Sequence, residues 1–337
     1  MNATFPVWSE RFDGGSASEE ATLFKQLASC MTIVQERNQA AAEAACPMRT
    51  LHAKIVAGIT IARLDVDADL PEAYRSLYIQ PGASIPALIR FSNASGVPQA
   101  DTLADMRGIA VRLFPPEAPA HDLLMTNFPA SHARNAKQFV DFAVIASGDK
   151  TTMMERLLER FGPAETQRML TNIQTGMRPC PTLAGEHFWS RGAYLWGKQP
   201  VRYAIHPVLE PGSAPSEPLG PDGLFDDLAR RLDQGDLRFR LGVQPFVSEE
   251  LTPIEDASVP WTQEASPSVE IATLVLPQQD LHSETSRAGH ALVQSLAFNP
   301  WNSPAEFRPL GNLNRARGVV YGTSAAHWVT SAPQAST

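Results

Sequence analysis

The chain has 337 residues, of which 43% are hydrophobic and 19% charged, the balance of a soluble globular protein with a sizeable core. Its net charge of -8 argues against a surface that tracks nucleic-acid phosphates. The three cysteines, Cys30, Cys46 and Cys180, form no C-x-x-C pair, so zinc and iron–sulfur sites are not indicated. No run approaches the roughly 18 apolar residues of a membrane span, and no secretory leader is visible at the N-terminus. The expected location is the reducing cytoplasm, with no nucleic-acid partner and no membrane span.

The elements follow in chain order. Residues 17–45 read as a helix: Ser18, Glu19 and Glu20 suit an N-terminus, and Leu23, Phe24, Leu27, Met31 and Val34 recur at helical steps. Cys46-Pro47 stops it. Residues 55–66 suit a strand bent at Gly58, and residues 84–92 and 108–114 suit further short strands between Gly- and Pro-containing turns. Residues 135–161 read as helical with a break near Gly148. The stretch 179–222 is rich in proline and glycine and reads as connections, with a weak strand at 201–208.

A helix is expected at 223–235, strands at 237–247 and 269–276, and helices at 283–296 and after Asn312. Residues 330–337 read as a frayed tail. Short strands in the middle and helices at both ends predict an α+β fold, an antiparallel barrel or sandwich with helical additions.

Four segments carry chemistry. Arg49-Thr50-Leu51-His52-Ala53-Lys54 comes first, and Arg90-Phe91-Ser92 closes a strand. A third run holds Asp101, Asp105, Arg107-Gly108, Ala110-Val111, Asp122-Leu123, Asn127, Pro129, Arg134, Phe139 and Asp141-Phe142. The fourth is Ala297-Phe298-Asn299-Pro300 followed by Arg317 and Tyr321. A histidine pKa lies near neutrality, so His52 suits proton transfer. Arg317 and Tyr321, four apart, share a face of a helix.

In order and spacing these segments resemble catalases, over about residues 45–330. The resemblance is nearest to the short catalase-related haem peroxidases. It implies an antiparallel β-barrel core with flanking helices, divided as an N-terminal helical segment (1–46), a haem-binding domain with a C-terminal ligand helix (47–330) and a tail (331–337). It implies haem b (iron protoporphyrin IX) as cofactor and a peroxide or organic hydroperoxide as substrate. His52 would be the proton-transfer residue, oriented by Ser92. Arg49 and Arg90 would meet the haem propionates, and Phe139 would pack on the ring. Tyr321 would ligate the iron, with Arg317 supporting its ionised form.

The sequence departs from the family at four places. Thr126 stands where the family has an asparagine that holds the peroxide, with Asn127 beside it. Phe128 and His132 differ nearby, and Leu51 replaces a smaller residue. Gly322 to Trp328 lacks the family's histidine- and arginine-rich stretch and its propionate contact. The expected function is a haem hydroperoxidase. The alternatives are a hydroperoxide-rearranging haem enzyme and a haem- or lipid-binding protein without turnover. The arms that knit full catalases into tetramers have no counterpart, so a monomer or homodimer is expected. Two further groups read as structure: the aromatics Phe188, Trp189, Tyr194 and Trp196 as core, and His282 with His290 as no metal site.

Overall fold

The computed structural model describes residues 6–208 and 220–329, so the expected tail at 331–337 lies outside the described residues. Nine strands are described: β1 (Ile55–Val66), β2 (Ser84–Asn93), β3 (Arg107–Leu113), β4 (His121–Thr126), β5 (Phe188–Trp189), β6 (Tyr194–Trp196), β7 (Gln199–Val208), β8 (Leu237–Pro245) and β9 (Val269–Leu276). All neighbours are antiparallel, in the order β5-β4-β3-β2-β1-β9-β8-β7. β5 also pairs with β7, through Phe188 opposite Ile205 and Trp189 opposite Ala204, which closes eight strands into a barrel. β6 extends the same edge of β7.

Strand alternation sorts the side chains. Ile85, Ala87, Ile89 and Phe91 of β2 point inward with Ile109, Val111 and Leu113 of β3 and Leu123 and Met125 of β4. They meet Phe188, Ile205, Phe239 and Leu241 in one core. The intervening positions, among them Arg90, Ser92, Gly108, Ala110, Leu124 and Thr126, belong to the outer face. Antiparallel register aligns them: Ser92 lies opposite Gly108, Gly108 opposite Thr126, and Thr126 opposite Trp189.

Among the described residues six α-helices flank the barrel: α1 (Ala17–Ala41), α2 (Ala136–Ala146), α3 (Met153–Gly176), α4 (Gly223–Gln234), α5 (Glu284–Ser295) and α6 (Asn312–Val329). α1 starts at the expected Ala17 and its cap is Ser16: Ser16 Oγ accepts from Glu19 N at 3.2 Å and donates to Glu19 Oε2 at 2.8 Å. α1 ends at Ala41, four residues short of the expectation. Its buried Phe24, Leu27, Met31 and Val34 pack with α2 and α6.

The predicted helix 135–161 is two helices, and α3 runs on past the kink at Gly162-Pro163. Thr166 Oγ1 donates to Leu157 O at 3.0 Å across that kink, and burial of Leu157 and Met169 holds both halves down. Gly58 marks a close approach: a Cβ there would lie 2.8 Å from Val293 Cβ of α5. β1 carries register shifts on both sides of it.

Candidate functional site

A cavity of about 240 Å³ lies between the outer face of β2–β5 and the helices α1, α2 and α6. His52, Arg49, Ser92, Arg90, Thr126, Phe139, Arg317 and Tyr321 all line it. Strand period two supplies Arg90 and Ser92; helix period 3.6 supplies Arg317 and Tyr321. Met31 of the N-terminal segment lines the cavity too, so α1 is part of its wall.

His52 precedes β1 in the left-handed region, at φ 56°, a conformation uncommon outside glycine. Its own amide donates to Ala94 O at 3.0 Å, and its carbonyl accepts from Arg90 Nη2 at 2.8 Å. These bonds hold the strained backbone. The ring Nδ1 lies 3.1 Å from the buried Ser92 Oγ. Gly108 is opposite Ser92, and a Cβ on it would sit 2.7 Å from His52 Cε1 and Nδ1. Only a bare backbone leaves room for the imidazole.

Burial pushes the His52 imidazole down to about 3, helped by the guanidiniums of Arg90, Arg191, Arg317 and Arg49. It is a neutral ring at physiological pH, with one nitrogen committed to Ser92. In the tautomer in which Nδ1 donates to Ser92, Nε2 presents a lone pair.

On α6, Arg317 Nη2 and Nε donate to Tyr321 Oη at 3.1 and 3.3 Å. Asn314 Oδ1 and Tyr194 Oη complete its partners. Burial opposes the Arg317 charge, and the phenols of Tyr321 and Tyr194 outweigh it, so the guanidinium is held above its ordinary range. Arg49 Nη2 donates to Gln294 O at 2.8 Å and Leu296 O at 2.6 Å, and its guanidinium stacks on Trp328, 4.3 Å from the ring centre. Burial lowers Arg49 to about 10 and lowers Arg90 strongly. Both Nε atoms are buried donors without a protein partner.

The structure does not bring Asn127 to the cavity. Its Oδ1 accepts from Arg107 N at 2.7 Å and its Nδ2 donates to Glu186 at 2.9 Å, so its side chain is committed within the core. Thr126 does line the cavity, but its hydroxyl turns back to Phe128 O at 3.4 Å. His132 is wedged between Phe139 and Phe142. Of the aromatic group, Phe188, Tyr194 and Trp196 are core, while Trp189 reaches the cavity. His290 Nδ1 accepts from Gly58 N, and no metal-binding cluster of His, Cys, Asp and Glu exists among the described residues.

Sequence reading missed Arg191, Asn314, Ser324 and Trp328. Trp328 had a signal: it lies two helical turns after Tyr321, on the same face. Ser324 Oγ is 2.8 Å from Thr50 Oγ1, tying α6 to the segment that carries His52. Arg191 had none, because it sits in an irregular connection with no period to read.

The family model for Catalase matches residues 27–159. A protein described as a catalase-related peroxidase, from Mycolicibacterium paratuberculosis (strain ATCC BAA-968 / K-10), is 26% identical over 253 residues, covering 72% of this chain and 78% of that protein. Among solved structures, catalase A from Saccharomyces cerevisiae superposes with a TM-score of 0.66 at 18% identity, over 85% of this chain and 62% of that one. A bacterial catalase gives 0.63 at 18% identity, over 85% of this chain and 58% of its own. The chain thus spans about three fifths of the length of these solved catalases. The chain is thus similar to the catalase superfamily, whose members are oxidoreductases, and its closed barrel with flanking helices is the catalase fold.

Proposed function

We propose that this protein is a haem-dependent hydroperoxidase acting on hydrogen peroxide or an organic hydroperoxide. The observation that carries the reading is convergence: the His52–Ser92 pair and the Arg317–Tyr321 pair line one cavity. Two features fit haem there. The orphaned Nε donors of Arg49 and Arg90 suit two carboxylates entering from the cavity. Much of the remaining wall is apolar, with Phe139, Val140, Phe298, Val320 and Trp328.

Arg49 and Arg90 would hold the propionates, Phe139 would pack on the ring, and Tyr321 would supply the phenolate oxygen to the iron. Bound haem supplies a redox-active iron. The chain's own residues do the rest. His52 Nε2 accepts the proton of the hydroperoxide O–H and returns it to the departing oxygen as the O–O bond breaks. Ser92 fixes the ring plane for both transfers. Arg317 donates to the phenolic oxygen, giving a phenolate its charge partner. The three free thiols support a reducing, cytoplasmic setting.

The absorption spectrum of the purified protein, with and without added haem, tests the cofactor. Tyr321→Phe is expected to alter the spectrum of the loaded protein; an unchanged spectrum removes Tyr321 as ligand. His52→Ala is expected to lower turnover of hydrogen peroxide or cumene hydroperoxide by ~100-fold or more, and full activity would falsify its role. A second reading, rearrangement of the hydroperoxide, is favoured by Thr126, whose hydroxyl turns away where an amide would hold peroxide. Product analysis separates them: reduction yields an alcohol and consumes a donor, and rearrangement does neither.

A further inference from the structure

Four guanidinium groups line the cavity, from Arg49, Arg90, Arg191 and Arg317, and no Asp or Glu side chain lines it with them. None of the four pairs with a carboxylate among the described residues. Desolvated cations without counter-charges are costly, and such an arrangement is retained where anions complete it. On the reading above, three have their anions: one propionate each for Arg49 and Arg90, and the Tyr321 phenolate for Arg317. Arg191 is left over.

Arg191 also stands apart from the propionate pair. Arg49 and Arg90 both reach Gln294, at its carbonyl and its side-chain oxygen. Arg191 instead donates Nε to Phe128 O at 3.0 Å and Nη2 to Met106 Sδ at 2.8 Å. Phe128 lies two residues beyond Thr126, so the guanidinium is anchored at the Thr126 end of the wall. Its Nη1 has no protein partner among the described residues.

The chain holds this arginine deliberately placed. Its backbone is left-handed at φ 60°, the second cavity residue so strained after His52. The next residue, Gly192, packs against Asn314, with room for no Cβ. Burial, aided by Arg317 and opposed by Tyr321, lowers Arg191 to about 10, which leaves it a cation at neutral pH; Tyr321 is already bonded by Arg317 and makes no hydrogen bond to Arg191. Trp189, two residues before it, and Leu124 give the same wall an apolar surface.

We propose that Arg191 binds the carboxylate of the substrate, which makes this protein's substrates acidic organic hydroperoxides rather than neutral ones. The hydrocarbon portion lies along Trp189 and Leu124. The assignment deepens the hydroperoxidase reading and rests on it for the word hydroperoxide, but the anion site itself is testable separately.

Two measurements do this, the first on the purified protein with and without added haem and the second on the haem-loaded protein. Calorimetric titration compares octanoate with octan-1-ol in the wild type, Arg191→Gln and Arg191→Lys. Steady-state kinetics compares linoleic acid hydroperoxide with its methyl ester. The wild type is expected to favour the acid in both. Arg191→Gln is expected to erase that preference by roughly 10- to 100-fold, the loss that accompanies a hydrogen bond to a charged group, mainly through KM. Arg191→Lys should keep part of it. Equal octanoate binding by wild type and Arg191→Gln overturns the proposal, as does a wild type indifferent to acid and ester. If the protein takes up no haem, the hydroperoxidase reading fails, while the octanoate difference still reads the Arg191 site.

Discussion

Gly108 decides whether the His52 imidazole has a place to sit. The ring occupies the volume a methyl group would take, 2.7 Å from that absent Cβ, and Ser92 Oγ lies 2.9 Å from it. Gly108→Ala is therefore expected to break the 3.1 Å His52–Ser92 contact and lower turnover by at least ~10-fold, with haem content retained. Haem content and turnover are read on the same preparation; an alanine variant with wild-type turnover would show that the ring has slack. The signal for Gly108 was in the sequence, since glycine inside a strand often marks close approach. His52, Ser92, Arg317 and Tyr321, which line one cavity, were legible only through the resemblance to catalases in the order and spacing of their four segments. Asn127 was named for its position beside Thr126, and nothing in a linear string reveals that strand alternation turns it toward Arg107 and Glu186. Arg191 was invisible because long-range packing, with no local period, delivers it.

At the level of elements, α6 matters most, because it carries Arg317, Tyr321 and Trp328 on one side. Its opposite side is moored by Arg315, which donates to Glu20 of α1 at 2.7 and 2.8 Å and also reaches Glu10 and Glu255. Burial pushes the Glu20 carboxyl up, but hydrogen bonds from Arg315 and Asn312 hold it below the usual range. Arg315→Leu would strand a carboxylate whose side chain is 2% exposed, at a cost of ~3–5 kcal/mol. Urea unfolding should show that loss, and haem should dissociate faster. Adding Glu20→Leu should recover much of the stability; no recovery would mean that Glu10 and Glu255 dominate the mooring. The helices themselves were legible from their apolar spacing. The strand β4 was not: His121 and Asp122 read as polar, yet both are buried, Asp122 beneath a two-pronged bond from Arg112. The expected helix end at residue 161 falls at the Gly162-Pro163 kink, and local sequence cannot say that buried Leu157 and Met169 make the helix resume.

For the whole molecule, three histidines couple folding to pH. Burial drives His52, His121 and His132 down to about 3 each, with nearby guanidiniums adding to the effect at His52 and His132. Unfolded, each would titrate near 6.5. Between these values the unfolded chain binds protons that the folded chain refuses, so stability is full above about pH 6.5 and falls as pH drops toward 3. Each histidine contributes a slope of up to ~1.4 kcal/mol per pH unit. Urea midpoints measured from pH 7 to 5 are expected to decline accordingly, and His121→Gln should flatten the curve by about one proton's slope. A flat wild-type profile would mean that these rings are protonated in the folded state.

The barrel is fastened by β5, two residues long, with one register pair to β4 and two to β7. A ring closed by so small a clasp behaves in time as an open sheet that spends most of its life curled shut. Deuterium should therefore enter the backbone amides around Trp189 and Ala204 well before those of Phe239 and Leu274, in the long ladder between β8 and β9. Since Trp189 faces Thr126 across that clasp, each opening would also part the wall of the cavity, and the same amides should slow their exchange once the cavity is filled.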